Sequence, residues 1–230
     1  MMNPDEESYS FPFEERCART LGEIRHSSGL IVSEALFGAI HGPIDDFEFV
    51  FKSLAEDDGL PFSPAVQRYF FRCGEIAAQW QSPDPDFELA GEFHLTHLYI
   101  TSLMSHTWEG SDNWERDLYR ELRVFDDTPR TGTGYLAALR AAHGTTDPEI
   151  WFFDMHRGVM EMDLDYGTYL DTLLVTKGTI GWQYLFCDTG MPDPGFAPVA
   201  KGLKEMLEVF PQLFPDHDYA DLRARLRERT

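Results

Sequence analysis

PEIWFFDMHRGVMEMDLDYGTYLDTLLVTKGTIGWQYLFCD, residues Pro148 to Asp188, sets the fold class of this chain. Its first part, EIWFFDM, is apolar almost throughout and aromatic, the pattern of a strand covered on both faces. His156-Arg157-Gly158 offers a short turn in which the glycine is free to take positive φ. The return run alternates: Met160, Met162 and Leu164 fall on one face, Val159, Glu161 and Asp163 on the other. At Asp165 the period becomes helical. Tyr166, Tyr169, Leu170, Leu173 and Leu174 form one face, Asp165 can cap the first amides, and Lys177-Gly178 supplies the stop. A short aromatic run, Trp182 to Phe186, follows. The stretch predicts hairpin, helix, then a compact aromatic element.

Toward the N-terminus of that unit, Tyr135–Ala142 suits either a strand or a helix, and Glu121–Phe125 predicts a strand. Residues 101–118 show no sustained period and read as a loop carrying Trp108 and Trp114 among acidic residues. Glu92–Ile100 reads as a strand with His94 and His97 on opposite faces. Ser63 at a cap position and Pro64 in the first turn open a predicted helix. Val66, Tyr69, Phe70, Cys73, Ile76, Ala77 and Trp80 carry it to residue 80 at helical spacing. Asp45 or Asp46 caps a helix with the face Phe47, Val50, Phe51 and Leu54. Leu30–Ile40 is read as a short helix, and residues 1–30 as a loosely packed arm. Toward the C-terminus, Val199, Leu203, Met206, Leu207 and Phe210 mark an amphipathic helix. Tyr219–Arg229 marks a last helix, with arginines near its end.

These elements predict an α+β fold, a mostly antiparallel central sheet flanked by helices, with helical appendages at both ends. The expected division is an N-terminal arm (1–44), an α+β domain (45–190) and a C-terminal helical extension (191–230). The 230 residues are 43% hydrophobic, enough for a sizeable core. Asp and Glu number 40 against 19 Lys and Arg, a net charge of −21. Such a field repels nucleic acid and anionic membranes and attracts basic partners. Three separated cysteines without a CxxC fit a reducing compartment. The opening MMNPDEESYS is acidic and polar, unlike a signal peptide, and no apolar run approaches the ~20 residues of a membrane helix. A cytoplasmic location is expected.

Leu60-Pro61 opening a helix, Gly91-Glu92-Phe93 and Leu122-Arg123-Val124-Phe125 in strands, and a hairpin running into Tyr166–Leu174 together resemble the SUKH superfamily, over roughly residues 45–187. Family members carry Asn-Gly or Gly-Gly after the first of these helices, whereas Cys73-Gly74-Glu75 reads here as continuing helix. The resemblance implies a non-enzymatic binding protein: an immunity protein neutralising a toxin, often a nuclease, or a regulatory interaction protein. It carries no catalytic set.

The remaining motifs are weak as chemistry. His94-x-x-His97 on a strand splits between faces and lacks the acidic residue of an HExxH site. Arg130–Gly134 lacks the Gly-Lys-[ST] of a phosphate loop. Cys73 falls on an apolar helix face, as a core residue would. No catalytic residue, cofactor or metal ligand is therefore assigned. Glu161, Asp163 and Asp165 alternate along a strand edge and suit a partner-facing acidic surface, or a divalent-metal hydrolase or transferase. The expected contact surface is Glu161 and Asp163 plus the loop with Trp108, Glu109, Asp112, Trp114 and Glu115. The expected partner is a basic protein, a toxin domain, with a regulatory scaffold for an endogenous protein as alternative.

Overall fold

A computed structural model describes residues 11–40, 42–84, 89–104, 113–188 and 196–230, with only the main chain of 113–116. Seven strands form one antiparallel sheet in sequence order: β1 (Ile31–Phe37), β2 (Glu75–Gln81), β3 (Ala90–Thr96), β4 (Leu122–Asp127), β5 (Leu136–Arg140), β6 (Glu149–Asp154) and β7 (Gly158–Glu161). One face, through Ile76, Trp80, Phe93, Leu95, Phe125 and Phe152, joins the principal core. That core is completed by α1 (Pro12–His26), α2 (Phe47–Glu56), α6 (Tyr166–Thr176), α7 (Ala197–Leu213) and α8 (Ala220–Arg229). The opposite face carries α5 (Asn113–Glu121), whose Leu118 and Tyr119 pack with Val124, Ala138, Trp151 and Val159.

The deciding stretch folds as its periodicity dictates. β6 and β7 form the hairpin, and Gly158 sits at φ 81° where the turn requires a left-handed residue. Asp165 Oδ1 accepts from the Thr168 amide at 2.7 Å and caps α6. Lys177 takes the left-handed C-cap conformation, and Trp182–Leu185 winds into a buried 3-10 turn. Residues 136–140 are strand, paired on both sides. The two C-terminal helices form as expected, and α8 is bound to the fold through its arginines. Arg223 Nη2 donates to Leu207 O at 3.1 Å and Arg229 Nε to Leu185 O at 2.9 Å.

Several elements depart from the periodicity reading. The helix expected from Ser63 to Trp80 stops after one turn, α3 (Pro64–Gln67), and residues 75–81 are β2. Its three- and four-residue apolar spacing coincides with an alternation, Ile76, Ala78 and Trp80 facing the core, and pairing with both β1 and β3 selects the strand. Leu30–Ile40 holds β1 rather than a helix, since its main chain pairs with β2 along the sheet edge. The supposed loose arm contains α1, which buries Phe13, Cys17, Leu21 and Ile24. Buried Glu14 anchors it, taking the Arg72 amide at 2.8 Å and Arg72 Nε at 2.9 Å. β3 ends at Thr96, because His97 Nδ1 accepts from the Tyr99 amide at 3.1 Å and caps α4 (Leu98–Leu103). The aperiodic segment 101–118 includes the end of α4 and the start of α5. Among the described residues no helix is long and apolar enough to cross a membrane.

Candidate interaction surface

Antiparallel pairing sets Val124, Ala138, Trp151 and Glu161 in one row across β4–β7, on the face that α5 covers. Trp151 donates from Nε1 to Glu149 Oε2 at 3.1 Å. Arg140, opposite Glu149, reaches that same oxygen at 3.1 Å and Glu121 Oε2 at 2.7 Å. Glu161 closes the row, exposed and without an ion-pair partner among the described residues. A packed row with Trp151 at its centre thus ends in the exposed Glu161 carboxylate.

The expected contact residues divide. Trp114 and Glu115 belong to α5, a helix rather than a loop, and the fold brings that helix onto the face that carries Glu161. Asp163 lies beyond the end of β7, with its side chain 85% exposed and Oδ2 3.5 Å from Arg225 Nη1. Arg225 also holds Asp221 at 3.0 Å and stacks 4.2 Å from the Phe186 ring centroid. Asp163 therefore addresses α8, not the α5 face. Asp165 is committed to its cap. Trp108, Glu109 and Asp112 lie outside the described residues.

Three charged clusters escaped the sequence reading. His94 stands between Asp127 Oδ1 and Glu75 Oε2, each at 2.7 Å, on the side of the sheet opposite Phe93 and Leu95. The hydrogen bond to Asp127, with that to Glu75, outweighs burial and raises its pKa to about 9, so it is an imidazolium at neutral pH. Directly behind it, buried Asp126 accepts from the His94 amide at 2.9 Å and from the Tyr169 hydroxyl at 2.7 Å. Burial pushes the Asp126 carboxyl up to about 7. On the core side, Lys177 is fully buried, its Nζ 2.5 Å from Glu23 Oε2, 2.9 Å from Leu174 O and 3.0 Å from His217 Nε2. Burial lowers the lysine pKa against the raising contact with Glu23.

Lys177, Asp126 and Tyr169 are enclosed, Tyr169 bonding Asp126 and Lys177 bonding Glu23 of α1. The cysteines are buried, and burial pushes Cys73 and Cys187 up to about 12, far from thiolate character. Among the described residues no group of three or more His, Cys, Asp or Glu is disposed to hold a metal ion. A scan against protein-family models, a search of curated proteins and a search of solved structures each return no match.

Proposed function

We propose that the protein is a non-enzymatic binding module whose partner is a basic protein. The observation that carries this reading is Glu161: an exposed carboxylate without an ion-pair partner among the described residues, beside Trp151 at the end of a packed row, in a chain of net charge −21. Long-range attraction of a basic partner speeds encounter, and fixed charges beside aromatic side chains give it a place to dock. The resemblance to the SUKH superfamily supports an immunity role against a nuclease-type toxin, whose substrate groove is basic, and a cytoplasmic site of action. A regulatory role toward an endogenous basic protein uses the same surface.

The test is a pull-down of the tagged protein from its native lysate, washed at low and then high salt, in parallel with the Glu161→Lys/Asp163→Lys variant. A single basic protein held by the wild type, released by salt and lost by the variant is the expected result. A partner retained equally by the variant rules out this surface. A neighbouring gene for a secreted protein with a basic C-terminal domain distinguishes the toxin from the endogenous partner.

A further inference from the structure

On the side of the sheet opposite α5, a cleft of about 240 Å³ opens between α1, α6 and the turn that joins α7 to α8. Arg16, Arg19, Thr20 and Glu23 recur at three- and four-residue spacing and line it from one stripe of α1. Asp171, Leu174 and Val175 do the same from α6, and Asp216 and His217 close it from the turn. The volume lies below the roughly 300–1,000 Å³ of a drug-sized site, so the cleft suits a small molecule.

Most of its charges are already matched. Asp171 accepts from Arg16 Nη2 at 2.6 Å on one oxygen and from the Tyr69 hydroxyl at 3.0 Å on the other. Glu23 Oε2 lies 2.5 Å from Lys177 Nζ and 2.9 Å from His217 Nε2. Arg19 and Asp216 are left over. Both are exposed and line the cleft, and among the described residues neither side chain has an ion pair or hydrogen bond. One free guanidinium and one free carboxylate thus border a floor of buried Leu174 and half-buried Val175.

We propose that this cleft binds a free α-amino acid with a small aliphatic side chain. Its carboxylate pairs with the Arg19 fork, its ammonium with Asp216, and its side chain covers Leu174 and Val175. Charge disfavours simpler occupants. A bare anion approaches against a net charge of −21 and meets Asp216, whereas a bare cation meets Arg19. A zwitterion carries no net charge to be repelled and satisfies both groups at once. The site is independent of the basic-partner reading, since it shares no residue with the Glu161 row.

The experiment titrates the full chain with L-alanine, L-valine and L-leucine by calorimetry and maps the amide shifts by NMR. The tightest binder is then compared with its N-acetyl form, which lacks the ammonium, and its amide, which lacks the carboxylate. Expected are binding at millimolar concentration or below and shifts centred on Arg19, Leu174, Val175 and Asp216. Either analogue should bind more weakly by roughly tenfold or more, the loss of one charged hydrogen-bonded contact. Arg19→Gln and Asp216→Asn, at exposed positions where substitution leaves folding intact, should each weaken binding by a similar factor. Absence of binding by all three amino acids overturns the proposal. Equal binding of the N-acetyl form makes the cleft an anion site, equal binding of the amide a cation site, and either result overturns it. Shifts confined to other elements, or binding unchanged in both variants, overturn the placement. Retention of a basic protein by the Glu161 surface is read separately by the pull-down, so the two readings fail independently.

Discussion

Tyr169 donates its hydroxyl hydrogen to Asp126 Oδ2 at 2.7 Å, joining the middle of α6 to β4 inside the core. The other oxygen of Asp126 takes the His94 amide, so one buried carboxylate ties helix, β3 and β4 together. Its donors are neutral and its surroundings apolar, so ionisation there is costly.

Stability should therefore fall as pH rises toward neutrality. The folded-state pKa of Asp126, about 7, lies above the ordinary carboxyl value, so the folded state binds the extra proton. That contribution is full below about pH 4 and lost as pH rises through about 7, on the order of 4 kcal/mol in all. Asp126→Asn should remove this slope in urea titrations between pH 5 and 8. A variant retaining the wild-type slope would show that the proton is held elsewhere.

A second descent belongs to His94. Its pKa is raised to about 9 by Asp127 and Glu75, so its stabilisation is present below about pH 6.5 and disappears as pH rises through 9. The side chain is 27% exposed, and about 2 kcal/mol is expected. His94→Gln should flatten the profile between pH 7 and 10 only. NMR titration of the ring that gives an ordinary histidine pKa would contradict the geometry.

Glu23→Gln should be strongly destabilising although Glu23 lies partly at the surface. It leaves the fully buried Lys177 ammonium facing Leu174 O and His217 alone. Removing one member of a buried pair costs about 3 kcal/mol. Burial opposes the Glu23 carboxylate, but the donors Lys177 and His217 prevail and hold its pKa below the ordinary value. That contribution is present above about pH 4.5 and is lost as pH falls. Denaturation midpoints of wild type and variant should thus converge in acid; a constant gap across pH 3–7 would reject the pairing.

Gly178→Ala tests the end of α6. Gly178 has φ 68°, and a Cβ there would stand 2.6 Å from the carbonyl oxygen of Glu92 on β3. Backbone strain and a main-chain clash together should cost about 2–3 kcal/mol by thermal or chemical denaturation. A cost under about 0.5 kcal/mol would mean that α6 does not approach β3 this closely.

Sequence alone determined the elements whose information is local. The β6–β7 alternation, the Asp165 cap, the Lys177-Gly178 stop and the apolar faces of α2, α6 and α7 were all legible, because each is written within a few residues. Glu161 was legible too, as an acidic residue at a period-two position. Tertiary structure alone decided that Ile31–Phe37 and Glu75–Gln81 are strands: an apolar run reads equally as buried helix or buried strand until pairing satisfies its main chain. It also decided that His94 meets Glu75 and Asp127, that Glu23 reaches Lys177, and that α5 lies over Trp151. Those contacts join segments distant in sequence, and no local period encodes which charges will meet when a sheet closes.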